Sequence, residues 1–223
     1  TELFSEAALS ALREATSELA YLRTRGYALP SALKLVGDRH QLRERQRTAI
    51  SRATSEAATA ADRRSRRASK DSPPALLGVD GFNVVITLET ALNGGVLVTT
   101  LDGGLRDLAG VHGSYRISDV TDQALGFLAR HLADLEWATA PTCFYLDAPV
   151  SNSGRLAARI RERAQADALP WTVEVVPDPD VVLAKLGPGE VAATSDAVIL
   201  DRCPAWIDLA AEVIRRYVPE AWI

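Results

Sequence analysis

Cysteine and histidine are scarce in this chain: its 223 residues include two of the first and three of the second. Cys143 and Cys203 form no CxxC pair, and His40, His112 and His131 show neither HxH nor HxxxH spacing. The common zinc-ligand patterns are therefore excluded, and the two thiols read as reduced core or sub-surface side chains of a cytoplasmic protein. No apolar run approaches the roughly 20 residues that a membrane span requires. The opening "TELFSEAALSALREATSELA" lacks the basic segment and apolar centre of a signal peptide. Neither GxxxxGKS/T nor GxGxxG occurs, which disfavours P-loop nucleotide hydrolysis and dinucleotide binding. There is no internal repeat, and no strand carries the aromatic-plus-basic pattern that stacks single-stranded bases.

What is present is charge, unevenly placed. Residues 1–70 carry 14 Lys/Arg against 8 Asp/Glu, and residues 71–223 carry 11 against 21. A basic piece joined to an acidic one suggests a polyanion-binding arm beside a carboxylate-rich domain. The arm, residues 1–72, reads as helical. Leu12, Ala15, Leu19 and Leu22 make one apolar stripe, Gly26 stops it, and Ser31 is placed to cap a short helix "SALKLV" that ends at Gly37. A longer basic helix is expected from residue 38 to 70, and the outline is that of a helix-turn-helix, with Arg39, Arg43 and Arg47 as nucleic-acid contacts. "RRSRRASKDSPP" closes this region.

From residue 73 to 223 short β-prone runs ("ALLGVD", "VLVTTL", "TCFYLD", "WTVEVV", "EVAATSD") alternate with helical stretches. That pattern predicts an α/β domain with a mostly parallel sheet and helices on both faces. "AWIDLAAEVIRRYV" reads as a last helix, and Trp137, Trp171, Trp206 and Trp222 as core or boundary anchors.

In such sheets ligands collect at the carboxyl ends of the strands. Four expected strands end on acid there: Asp80, Asp147, the pair Asp178 and Asp180, and Ser195-Asp196. Singly, each Asp is an ordinary helix cap or turn residue. Together, like charges raise one another's pKa and cost stability unless a cation neutralises them. Hard oxygen donors without His or Cys point to Mg²⁺ or Mn²⁺, held by Asp80, Asp147, Asp180 and Asp196, with Asp178 the alternative to Asp180. Asn83 would orient Asp80. Ser151, Ser153 and Arg155 stand at the mouth of a helix, where free backbone N–H groups can hold a phosphate; a Ser cap is the plainer reading. His112, in "GVHGSY", reads as an acid–base group or, more plainly, a turn residue.

"VDGFN" at 79–83 resembles the Asp-Gly-x-Asn opening of PIN/NYN-type nuclease domains, "FYLD" at 144–147 is similar to their second strand, and "DPDVVLAKLGPGEVAATSDAVIL" to their closing pattern. The resemblance covers about residues 75–210. It implies a PIN-like fold and divalent-metal-dependent RNA cleavage, with Asp80 binding metal and Asn83 supporting the site. The helical acid of those domains falls on Asp107 or Glu89; Asp107 has Arg106 or Arg116 as an alternative partner. Residues 20–52 with this domain also look like an uncharacterised prokaryotic family of unknown function. A Toprim-type site is the neighbouring reading, but it opens with Glu where this chain has Asp80. The expected function is thus an RNA phosphodiesterase whose basic arm grips the backbone, with an inert RNA- or protein-binding module as the alternative. Its partners would be RNA, a protein or a second copy, and no membrane.

Overall fold

The computed structural model describes residues 2–109, 114–135 and 137–223. After a 3₁₀ turn at Glu2–Phe4, four helices follow: α1 (Glu6–Thr24), α2 (Leu29–Arg39), α3 (Glu44–Ala53) and α4 (Ala57–Ser65). Where one basic helix was expected after residue 38, two stand, separated by Thr54-Ser55-Glu56. The break has a local cause. Thr54 Oγ1 donates back to the Ile50 carbonyl (2.9 Å), and the Thr54 carbonyl accepts from Arg23 Nη1 (2.8 Å) instead of continuing the helical ladder. Helix α2 also runs past Gly37 to Arg39, and its N-cap is Ala28, with Pro30 in the first turn, rather than Ser31.

The α/β part opens with β1 (Leu76–Asp80), α5 (Gly81–Leu92) and a hairpin of β2 (Leu97–Thr99) with β3 (Leu105–Asp107). Then come α6 (Asp119–Asp134), β4 (Thr142–Asp147), α7 (Ser153–Ala166), β5 (Trp171–Val176) and α8 (Pro179–Leu183). The chain closes with β6 (Glu190–Ala193), α9 (Ala197–Leu200), β7 (Trp206–Ile207) and α10 (Leu209–Tyr217). Five strands form one sheet in the order β5-β4-β1-β6-β7, every neighbouring pair parallel. The "VLVTTL" strand is not part of it: β2 pairs antiparallel with β3 in a sheet of their own. The start of the expected last helix is strand β7, because Trp206 and Ile207 pair with Ala192 and Ala193 and are buried on opposite faces.

Alternate strand residues define the two faces. Leu77, Val79, Phe144, Leu146, Val173 and Ala193 pack under α5, α6, α7 and α10. Cys143, Tyr145, Ala192 and Trp206 face the short helices α8 and α9, with Cys203 beside them. Both cysteines are free and buried. Gly78 permits the closeness of α8: a Cβ there would meet Leu183 Cδ2 at 2.9 Å. A separate apolar cluster joins α1, α2 and α3 to Val96, Val98 and Leu108 of the hairpin and to Trp222. The helical region is therefore packed onto the α/β part, and α3 buries Gln46, Ala49, Ile50 and Ala53. No described helix is long and apolar enough to cross a membrane.

Candidate functional site

The chain leaves β1, winds outward through β4 and β5, and returns to β6 on the other side of β1. The point where strand order reverses lies between β1 and β6, and in open α/β sheets the crevice beyond the strand ends opens there. Val79 pairs with Ala193, so Asp80 and Thr194 emerge from the sheet side by side. Thr194 Oγ1 donates to Asp80 Oδ2 at 2.8 Å, and the Asn83 backbone N–H donates to Asp80 Oδ1 at 3.4 Å, making Asp80 the N-cap of α5. Across the same junction, Asn83 Oδ1 accepts from the Ser195 N–H (3.0 Å), and Thr194 Oγ1 accepts from the Asp196 N–H (3.0 Å). The Asp-Gly-x-Asn turn and the Thr-Ser-Asp turn are thus one hydrogen-bonded unit. Every side-chain contact of Asn83 among the described residues is made by Oδ1, and none by Nδ2.

The other acids stand on neighbouring strand ends: Asp147 ends β4, Asp178 caps α8 with Asp180 in its first turn, and Asp196 caps α9. Burial pushes the Asp80 carboxyl up to about 7, and the charges of Asp196 and Asp180 add to the effect against the Thr194 bond. Asp180 rises to about 6 through burial and then Asp196, Asp178 and Asp147, with Arg202 opposing. Asp147 is raised by burial, with Asp178 and Asp196 contributing. Among the described residues none of these five acids forms an ion pair. Asp80 is buried, Asp147, Asp180 and Asp196 are half-buried and Asp178 is exposed; neighbouring acids without an ion pair are the arrangement a cation relieves, and their donors are all hard oxygens, as Mg²⁺ or Mn²⁺ prefers. Yet no three acids among the described residues are gathered closely enough to hold an ion as they stand. Two are turned away by capping: Asp178 Oδ1 accepts from the Asp180 N–H and Asp196 Oδ1 from the Val198 N–H.

Asn83, Asp147, Ser195 and Asp196 line a cavity of about 740 Å³ whose opposite wall is the helical region, including Arg23, Arg52 and Ser55. Asp107 also lines it, but as a paired group. It accepts from Thr87 Oγ1 (3.1 Å) and the Ala109 N–H (2.7 Å), and its partner is Arg52 rather than Arg106 or Arg116. Glu89 is elsewhere: it accepts from the Tyr115 hydroxyl (2.7 Å) and from Thr121, and burial raises its pKa. Ser151 Oγ accepts from the Tyr115 N–H, and Asn152, in the left-handed conformation (φ 63°), is the N-cap of α7 in place of a serine. Ser153 is buried in the first turn and Arg155 is exposed. Arg47 is held by Asp38 (2.8 Å) and the Leu42 carbonyl, Arg39 pairs with Glu18 (3.1 Å), and Arg43 is exposed; none of the three lines the cavity. His112 lies outside the described residues.

Sequence reasoning did not single out Thr194, Arg23, Arg52 or Ser55. Thr194 sits inside the Thr-Ser-Asp turn that was read for its acid. Arg23 and Arg52 come from α1 and α3 and Ser55 from the link after α3, all distant in sequence from the strand ends and without a local mark.

Residues 72–212 match the family described as a domain of unknown function (DUF5616), and residues 11–66 match a second, described as a protein of unknown function (DUF434). The chain is 34% identical over 206 residues to the uncharacterized protein MJ0935 of Methanocaldococcus jannaschii, covering 91% of this chain and 96% of that one. No solved structure matches it significantly. The chain belongs to the DUF5616 family.

Proposed function

We propose that this protein is a divalent-metal-dependent phosphodiester hydrolase acting on RNA, with a PIN-like α/β domain as its catalytic part. The carrying observation is Asp80: a buried carboxyl at the sheet's reversal point, raised to about 7 by burial with Asp196 and Asp180 adding to the effect, and without an ion pair among the described residues. Asp80, Asp147, Asp180 and Asp196 would hold Mg²⁺ or Mn²⁺, which when bound polarises a phosphoryl oxygen and lowers the pKa of water. The chain's own groups do the rest. Thr194 Oγ1 fixes one Asp80 oxygen and the Asn83 backbone N–H the other, and Asn83 Oδ1 holds the Ser195 N–H, so the carboxyl that would meet the ion is oriented by the chain itself. The polar cavity against the helical region supports a ligand taken between the two parts.

A second reading, a binding module without chemistry, draws support from the dispersed state of the acids. One experiment separates the two. Single-stranded, structured and tRNA-like RNAs are incubated with the protein in Mn²⁺, Mg²⁺ or EDTA, beside an Asp80→Asn variant. Cleavage that requires the metal and disappears in the variant is expected. Equal inertness of both, with no Mn²⁺ binding by calorimetry, would leave the binding module.

A further inference from the structure

Helix α7 begins two tight turns beyond Asp147. The Val150 N–H donates to the Asp147 carbonyl (3.2 Å) and the Ser153 N–H to the Val150 carbonyl (3.3 Å). Asp147 and Val150 both line the cavity at the acid edge. The first N–H groups of a helix have no partner within it and are satisfied by a cap, by water or by a ligand. Here the N-cap, Asn152, makes no side-chain cap bond, its amide nitrogen donates to the Tyr115 carbonyl (2.6 Å), and the first turn contains no acid. The N–H groups of Gly154 and Arg155 accordingly have no acceptor among the described residues. Both residues are exposed, and a Cβ on Gly154 would meet nothing within 4 Å, so a ligand can reach this backbone.

A second observation comes from Ser153. Its neighbours Ser151 and Asn152 are bonded to Tyr115, whereas the Ser153 hydroxyl, in a residue only 9% exposed, makes no hydrogen bond among the described residues. Native proteins seldom leave so buried a polar group without a partner. The Cα–Cβ bond of a helical residue leans toward the N-terminus, which sets this hydroxyl at the open end of α7.

We infer that the first turn of α7 is a phosphate subsite, in which the Gly154 and Arg155 N–H groups and the Ser153 hydroxyl hold a phosphate of the ligand bound at the acid edge. The inference rests on the reading of that edge as a phosphodiester site. Unpaired N–H groups and the positive end of the helix attract an anion, and glycine lets an oxyanion approach the backbone. Ser151 takes no part, because its hydroxyl already accepts from the Tyr115 N–H. Lying just past Asp147, the subsite would hold a phosphate neighbouring the one that is attacked, and so set the register of the strand.

The test is calorimetric titration of the full chain, in EDTA so that no metal takes part, with inorganic phosphate and with the 5′-phosphorylated dinucleotide pUpU. Wild type should bind both, pUpU the more tightly. Ser153→Ala should weaken each by about ten-fold, the effect of losing one hydrogen bond to a charged group. Gly154→Asp has open space for its side chain, and a carboxylate in the first turn suits the helix start. Its melting temperature should therefore hold or rise while binding of both probes falls below detection, a divergence that a purely structural turn would not produce. Undiminished binding by Gly154→Asp overturns the inference, as does no binding by wild type at millimolar probe. Equal affinity of wild type for the two probes also overturns it, since the site would then take free phosphate and not a strand. Should Gly154→Asp fail to fold, unchanged binding by Ser153→Ala is the overturning result. Failure of the nuclease reading looks different: pUpU binding would still depend on Ser153 and Gly154 while no RNA is cut with Mn²⁺. Metal-dependent cleavage with a KM unmoved by Gly154→Asp would overturn the subsite and keep the nuclease.

Discussion

At the scale of single residues, Asp80 shows how function opposes stability. Its folded pKa of about 7 lies well above that of an unfolded aspartate, near 3.9. Between those values the folded chain binds more protons than the unfolded chain, so this group lowers stability as pH rises through the window, and the whole cost is present above about 7. Asp80→Asn removes the term. In its place an amide still accepts from the Asn83 N–H, and Thr194 can accept in its turn. The variant, in EDTA, should therefore gain stability over wild type on going from pH 4.5 to pH 8, by on the order of a few kcal/mol; urea unfolding across that range measures it, and a difference independent of pH would refute the assignment. Asn83 has the opposite character. Asn83→Ala strips the acceptor from the buried Ser195 N–H, and an unsatisfied buried donor costs about 1–3 kcal/mol. Thermal unfolding reads that loss, and Mn²⁺ affinity should fall with it because the turn that carries Thr194, whose hydroxyl orients Asp80, then loses its tie to the Asn83 side chain.

At the scale of elements, α5 and the end of β4 meet with no room to spare. A Cβ on Gly81 would come within 2.4 Å of Leu146 Cδ2 and 3.1 Å of the Tyr145 carbonyl oxygen. The leucine tip can swing away, but the backbone oxygen cannot, so Gly81→Ala should push α5 off the strand and cost about 1–3 kcal/mol, as overpacking typically does. Since α5 is capped by Asp80 and carries Asn83, the same change should reduce metal-dependent cleavage more than it reduces stability; equal activity in a folded variant would show that the acid edge tolerates a shifted helix. The link between α3 and α4 is the other telling element. Residues 38–70 are rich in arginine and alanine and look continuously helical, yet Thr54 turns its hydroxyl on its own helix and Arg23 takes its carbonyl. Propensity favours a helix there, and a partner from α1 decides otherwise.

At the scale of the whole molecule, the two parts are joined by a buried charge network. Arg63 of α4 donates to Asp102 in the hairpin turn (2.6 Å) and pairs with Asp201 after α9, while Arg106 of β3 shares Asp102 at 3.1 Å. Arg63 and Asp102 are almost wholly enclosed. Removing one member of such a pair leaves a buried charge short of its partner, typically a loss of 3–5 kcal/mol. Arg63→Met should cost about 3, the low end, because Arg106 remains. The double variant Arg63→Met, Asp102→Asn should recover part of that loss in a urea-unfolding cycle. The basic charge of residues 1–70 is thus partly spent on the acidic remainder, and Arg52 of α3 is likewise turned inward to Asp107.

Local chemistry carries far in this chain. Alternation of apolar strands with amphipathic helices is enough to name an α/β domain with a parallel sheet, because burial on both faces forces that pattern on the sequence. A strand that runs into Asp80 or Asp147, or reaches Asp196 after a short turn, marks the carboxyl edge, and Asp80 and Asp196 cap the helices that begin there. The strand VLVT has the same local signature but no such destination: its neighbour β3 lies a tight turn away, so it pairs there and leaves the main sheet. Trp206 and Ile207 read as helix because two residues carry no period, and only Ala192 and Ala193 beside them make a strand. The carboxylates were legible one by one, whereas the fate of each was not. Asp107 meets Arg52, Glu89 meets Tyr115, and the link between α3 and α4 lines one cavity with Asp147 and Asp196, all through the meeting of residues far apart in sequence. The sequence by itself determined the fold class and which strand ends bear acid, through periodicity and capping, which act over a few residues. Only the tertiary structure decided which acids go without an ion pair and which helical residues share a cavity with Asp147 and Asp196, because burial and pairing depend on which distant segments meet.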